Sequence, residues 1–273
     1  ILKLRQQKAK LLGFKTFADY AIDPVMAKTV DAAENLLLSI WKPAVKKVDE
    51  EVADMQKYAD AHGAGYKIEA WDYYYFAEKV KAEKYNFSED DVRPYFKLEN
   101  VVENGLFFLA NKLYGLTFTK MPKAPKYNPE VTVYDVKDAK GKHVAVFMTD
   151  YYPRPVKAQG AWMMEMNQAY DFGGKSERPI VYNVCSFTAP TKDIPSLLTL
   201  DEVQTAFHEF GHALNGMLTV APYKGLEGTN IDRDFVELPS QLNEHWALVP
   251  EVLKNFAKHY KTGEVIPQEL VDK

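Results

Sequence analysis

Residues 208–212 read HEFGH, and no other stretch of this chain restricts its fold and chemistry as strongly. Histidines four positions apart stack one turn apart on the same face when the segment is helical. The surroundings favour a helix: Thr205, Ala206 and Phe207 precede the motif, Ala213 and Leu214 follow it, and no proline falls from Glu202 to Val220. Gly211 is the exception, since Gly costs about 1 kcal/mol against Ala in a helix interior. A glycine kept there suggests that something packs closely against that face. His208 and His212 at this spacing can bind one Zn²⁺ at about 2.0–2.1 Å each. Glu209 is turned about 100° around the helix from His208, so it flanks such a metal and can take a proton from water held there. A chance HExxH is the competing explanation; the unbroken helix-compatible run argues against it.

Catalytic zinc usually has three protein ligands and an open fourth position. Segment 232–246, DRDFVELPSQLNEHW, supplies the candidates. Glu237 is flanked by Phe235, Val236 and Leu238, apolar company in which a lone carboxylate is costly unless paired or metal-bound. Taken alone, it reads equally well as a surface glutamate on an amphipathic helix, and Glu244 is a rival ligand. Two neutral histidines and one carboxylate would leave about +1 net charge at the metal, which preserves its power to polarise a carbonyl.

These segments carry a resemblance. HEFGHAL followed by GTNIDRDFVELPSQLNEHW resembles the thimet oligopeptidase and oligopeptidase A family of zinc metallopeptidases, most closely its bacterial peptidyl-dipeptidase (Dcp) branch. YYPRPVKAQGAW (151–162), RPIVYNVCSFTAP (178–190) and LLTLDEVQTAFHEFGH (197–212) resemble the same branch, as do WDYYYFAEKV (71–80) and RPYFKLENVVENGLF (93–107). The resemblance covers nearly all of the chain. It implies that His208 and His212 are zinc ligands, that Glu209 is the catalytic glutamate, and that Glu237, the Glu of the FVE triplet, is the third ligand to one Zn²⁺ per chain. The implied fold is mainly α, a zincin-type catalytic region with a small β-sheet beside the HExxH helix. The implied activity is hydrolysis of short peptides with release of C-terminal dipeptides. Internal cleavage by an oligopeptidase, or a catalytically incomplete metal- or peptide-binding fragment, are the alternatives.

Two departures from the family pattern stand out. The family usually continues as HEFGHxxH, whereas this chain has Asn215 at the last position, which puts a neighbouring hydrogen bond or substrate contact in doubt. Family members also extend beyond both ends of this sequence, and the Gly- and Tyr-rich loop that supplies tyrosine hydroxyls is expected beyond Lys273. The chain is therefore expected to be a partial catalytic domain, with the remaining parts of the polypeptide absent.

Composition narrows the partners. The formal net charge of −4 gives no basic footprint for nucleic acid. No stretch approaches the ~20 apolar residues of a membrane span. The opening ILKLRQQKAK lacks the apolar core of a signal peptide, but the true N-terminus is expected upstream, so this opening says little about export; a cytoplasmic location is the expectation, with the periplasm as the alternative. Cys185 is the single cysteine and lies in the apolar run IVYNVCSF, where it reads as a buried structural thiol.

Along the chain, a helical part is expected over 1–125, a small sheet region over 126–190 and the zinc-binding helices over 191–273. Apolar residues from Val30 to Met55 recur every three or four positions, with Pro43 predicted to kink this helix or start a new one. A break at 61–66 precedes a second helix over 71–85, whose aromatic run is expected to pack between helices. Ser88 should start another helix, and Gly115 should end one over 101–113. The alternating run Val131–Val136, the turn DAKGK and the β-prone His143–Met148 predict a hairpin, and 179–187 predicts a third strand. Residues 181–186 are the candidate sheet edge for pairing with a substrate backbone, which makes Val181 and Asn183 candidate substrate contacts. Arg154 and Lys157 read as solvated surface cations; the functional alternative for Arg154 is a subsite for a peptide carboxylate.

Overall fold

Helix starts follow their caps. In the computed structural model, which describes residues 1–273, one unit comprises residues 1–88 with 232–234. It holds α1 (Leu2–Leu11), α2 (Phe17–Ile22), α3 (Val30–Ala61) and α4 (Tyr73–Tyr85). Thr16 and Thr29 each accept a backbone N–H three residues on, opening α2 and α3. Pro43 lies inside α3, which runs on through it, so it neither ends this helix nor begins another. Met55 and Ala59 of α3 form a small core with Ile68 and Phe76. The aromatic run does not pack as expected: Phe76 is buried, but Trp71, Tyr74 and Tyr75 are 63–84% exposed. Consecutive residues of a helix point all around its axis, and one face of α4 meets α3.

The second unit comprises residues 89–231 with 235–273. It begins with α5 (Glu89–Val92), α6 (Leu98–Asn100), a π-helical segment over Val101–Leu106, and α7 (Phe107–Tyr114). Gly115, at φ 69°, ends α7 in the left-handed conformation that glycine adopts without a steric penalty. Seven strands follow: β1 (Thr117–Lys120), β2 (Thr132–Lys137), β3 (His143–Asp150), β4 (Trp162–Asn167), β5 (Tyr170–Phe172), β6 (Lys175–Glu177) and β7 (Ile180–Val184). β5 and β6 pair with each other; the rest form a mixed sheet in the order β1-β2-β3-β7-β4. The expected hairpin is β2–β3, and the expected third strand is β7.

The expected edge is corrected. β7 runs parallel to β3 on one side and antiparallel to β4 on the other, so its backbone is paired on both sides. Val181 and Asn183 are fully buried on this interior strand and cannot receive a substrate strand. The edge beside β7 is β4 instead.

Arg154 and Lys157 also differ from both expectations. Asp150 is buried, and its carboxylate accepts from both Arg154 Nη atoms at 2.6 and 2.8 Å, from Lys157 Nζ at 3.0 Å and from the Tyr127 hydroxyl at 2.9 Å. Burial pushes the Asp150 carboxyl up, but these donors outweigh it and hold it at about 2. Lys157 Nζ donates as well to the carbonyls of Asp150, Tyr152 and Cys185. Arg154 is thus engaged within the chain, and Lys157 is a buried pin that ties β3 to the end of β7.

The remaining helices are α8 (Leu200–Leu218), α9 (Glu237–Glu244), α10 (Pro250–Phe256) and α11 (Gln268–Asp272). α8 packs on β3, β4 and β7 on one side and on α9 on another, so the small sheet does lie beside the HExxH helix. No helix is long and apolar enough to cross a membrane.

Where β4 meets α8, Glu165 lies under Gly216 and Gly228, and its Oε1 has no hydrogen-bond partner. Burial, and then the nearby Glu227, raise its pKa above 4.5. A raised carboxyl gives up its proton later in the folded chain than in the unfolded one, so stability falls as pH rises from 4.5 to the folded value. Glu165→Gln removes that penalty. Its advantage in thermal midpoint over the parent should widen from pH 4 to pH 8; a gap that closes over this range would mean that the carboxylate is favourably paired.

Candidate metal centre

α8 begins with a capping box. Thr199 Oγ1 accepts from Glu202 N at 3.1 Å, and the Glu202 carboxylate accepts from Thr199 N at 2.9 Å. Glu202 also takes the Thr188 N–H at 2.6 Å, fixing the helix start to the segment after β7. With that start set, His208, Glu209 and His212 fall two to three turns inside the helix. Glu209 and His212 are buried, and His208 is half-buried.

α9 brings the third group. Glu237 Oε2 lies 3.2 Å from His208 Nε2 and 3.0 Å from His212 Nε2. The Ser240 hydroxyl donates to the same carboxylate oxygen at 2.7 Å. Burial pushes the Glu237 carboxyl up, but Ser240 and the two histidines outweigh it and leave it below its ordinary value. The rival, Glu244, is elsewhere: its Oε1 is 2.6 Å from His208 Nδ1, the ring nitrogen facing away from Glu237.

This arrangement fits a metal. Ligand atoms of His208, His212 and Glu237 all lie within 4.8 Å of one another. Three ligands placed tetrahedrally at 2.0–2.1 Å from one ion stand about 3.3 Å apart, close to the two separations seen. A carboxylate on His208 Nδ1 holds the proton there and turns the Nε2 lone pair inward, the common support for a metal-bound imidazole. Glu209 belongs to no ligand group; its Oε2 is buried without a partner. Burial foremost, opposed by His208 and assisted by Glu237, raises its pKa to about 7.

Gly211 explains how α9 comes so near. A Cβ built there would stand 2.7 Å from Ser240 Cα and 2.9 Å from both Asn243 Cβ and the Pro239 carbonyl oxygen. Asn243 Nδ2 donates to the Phe207 carbonyl oxygen at 2.5 Å, locking the two helices together. Gly211→Ala should therefore push α9 off α8, lowering both the thermal midpoint and the affinity for zinc. Unchanged values for both would mean that α9 moves freely enough to absorb a methyl group.

A model of peptidase family M3 matches residues 1–273. The chain belongs to peptidase family M3. Among its relatives, the dipeptidyl carboxypeptidase of Salmonella typhimurium is 41% identical over 273 residues, covering 100% of this chain and 40% of that protein. Oligopeptidase A of the same organism is 37% identical over 275 residues, again 100% of this chain and 40% of the relative. The probable cytosolic oligopeptidase A of Arabidopsis thaliana is 40% identical over 286 residues, with the same shares. The chain thus spans 40% of the length of these curated relatives.

Within this M3 chain, Glu244, weighed in the sequence only as a rival ligand to Glu237, is a supporting neighbour of the site whose contact with His208 the sequence did not announce. It lies seven residues after Glu237, hence on the same face of α9, which was the available signal. Asn215 donates from Nδ2 to the Gly228 carbonyl oxygen at 2.9 Å and so ties α8 to the loop that follows it.

Proposed function

We propose that the whole protein is a zinc peptidase that acts on short peptides and releases C-terminal dipeptides, and that residues 1–273 form part of its catalytic domain. The observation that carries this reading is the single Glu237 oxygen set between the Nε2 atoms of His208 and His212, with Glu209 one residue from the first histidine. His208, His212 and Glu237 would hold the ion, an N₂O donor set suited to Zn²⁺. Bound there, zinc supplies Lewis-acid polarisation of the scissile carbonyl and of water.

Glu209 takes the proton of the attacking water on its carboxylate and returns it to the leaving amine. A carboxyl raised to about 7 by burial is matched to that exchange near neutral pH. Glu244 fixes the tautomer and orientation of His208. The outer side of β4 offers unpaired backbone groups for an extended peptide, the strand-addition mode that β7 cannot provide.

The dipeptidyl specificity is supported by the likeness to the dipeptidyl carboxypeptidase. The oligopeptidase A relatives favour a second reading, internal cleavage of short peptides. The complete protein, given one short peptide with a free and with an amidated C-terminus, separates the two by product mass. Dipeptides should be released from the free form and not from the amidated one; internal cleavage of both overturns the dipeptidyl reading.

A further inference from the structure

We infer that Asn183 and Tyr151 are positioning residues of this site, joined to His212 and Glu209 in one buried hydrogen-bond chain beneath the HExxH helix. The inference rests on the metal reading above.

Register places the groups. Phe147 and Thr149 of β3 stand beside Val181 and Asn183 of β7, so the four side chains share one face of the sheet. That face lies under α8: the Phe147 ring is 5.6 Å from the Phe210 ring, and Val181 Cγ2 would stand 3.2 Å from a Cβ on Gly216. Two residues of strand advance about 6.6 Å, or roughly four residues of helix. The direction is set by the segment that follows β7, where the Thr188 N–H donates at 2.6 Å to Glu202 in the first turn of α8, so β7 runs towards the start of that helix. From Val181 under Gly216, β7 therefore carries Asn183 beneath the turn that holds His212, and the strand ends continue towards Glu209.

The same places hold polar atoms enclosed without a partner. Both side-chain atoms of Asn183, the Tyr151 hydroxyl, Glu209 Oε2 and His212 Nδ1 all lack one. A carboxamide fully buried in that condition is strongly unfavourable, so these atoms need one another. Their chemistry is complementary. With Nε2 of His212 turned to a metal, Nδ1 carries the proton and donates. No pair of these atoms is at hydrogen-bond distance in the structure, so the chain closes by a small side-chain adjustment or through a bridging water: Asn183 Oδ1 would accept the proton, Asn183 Nδ2 would donate to the Tyr151 oxygen, and the Tyr151 O–H would donate to Glu209 Oε2. Burial raises the Tyr151 hydroxyl well above its ordinary value, and the neighbouring Asn183 carboxamide opposes that rise. One end of this chain aims the imidazole at the metal; the other orients one carboxylate oxygen and leaves its twin for the reacting water.

The test uses the complete protein, zinc competition against a chelator, steady-state cleavage of one short peptide and thermal midpoints. Asn183→Leu should weaken zinc binding about 10–100-fold, the usual loss for an outer hydrogen-bond partner. Asn183→Asp keeps an acceptor towards His212 and should restore most of that affinity. Tyr151→Phe should keep the zinc affinity and KM of the parent and lower kcat about tenfold or more. Should Asn183→Leu fail to fold, Tyr151→Phe still decides. Parent-like zinc affinity in folded Asn183→Leu, or parent-like kcat in Tyr151→Phe, would overturn the inference, whatever happens to the midpoints. A parent protein that binds no zinc would instead overturn the metal reading on which it rests.

Discussion

Glu209→Gln should leave zinc bound and cut peptide turnover by about 10²–10⁴ or more, the contribution of a positioned general base. The expectation follows from where this side chain sits. Glu209 is on the helix that carries both histidines, yet it lies outside the group of atoms that converge on one point. It is 6% exposed, and one of its oxygens has no partner, so a carboxamide of nearly the same shape can occupy the space. The substitution removes a proton acceptor and little else. Burial raises the native carboxyl to about 7, so it can take a proton and give it back near neutral pH; an amide can do neither. Metal content and turnover measured on one preparation of the complete protein decide the matter. A variant that loses its zinc would show that Glu209 belongs to the ligand set, and full turnover would show that the base is another group.

The metal centre was legible unevenly. HEFGH in an unbroken run pointed to two candidate donors and a candidate base, because helical spacing alone puts them on neighbouring faces. Gly211 was legible as an exception: a costly residue inside a helix implies a close neighbour, and the backbone of α9 fills that place. Glu237 was not legible from its own surroundings. Its apolar flanks suggested burial, but Phe235 and Leu238 are 48% and 55% exposed, and the carboxylate is reached through helix packing. Family likeness, not burial, singled it out.

Strand order was the harder part of the fold. β7 reads as a strand in either location, since an apolar run looks alike on an edge and in an interior. Its neighbour β4 has the sequence WMMEMN, with no β-branched residue, so nothing local announced the strand that closes β7 off. Asn183 was the overlooked signal. A carboxamide in the middle of IVYNVCSF is costly to bury, and on an interior strand it marks a polar network rather than a substrate contact.

Glu237→Ala and Glu244→Gln should both weaken zinc binding, but to different degrees and with different remedies. Glu237 Oε2 stands about 3 Å from the Nε2 atoms of both histidines, the spacing of atoms that share one ion. Removing it leaves two neutral imidazoles without the carboxylate that completes the donor set, and affinity should fall by far more than 100-fold. Glu244 touches only the outer nitrogen of His208, at 2.6 Å. Its amide still accepts the Nδ1 proton but no longer carries charge, so affinity should fall by about 10–100-fold. Excess zinc should then restore the turnover of Glu244→Gln and leave Glu237→Ala inactive, since an ion held by two histidines alone is not fixed against Glu209. Chelator competition measures the first difference, and activity against added zinc measures the second. The reverse order, with Glu244→Gln the more damaged and Glu237→Ala rescued by zinc, would mean that α9 presents Glu244 to the metal in the complete protein, and that the convergence of Glu237 on the two histidines is a hydrogen-bonded contact rather than a ligand set.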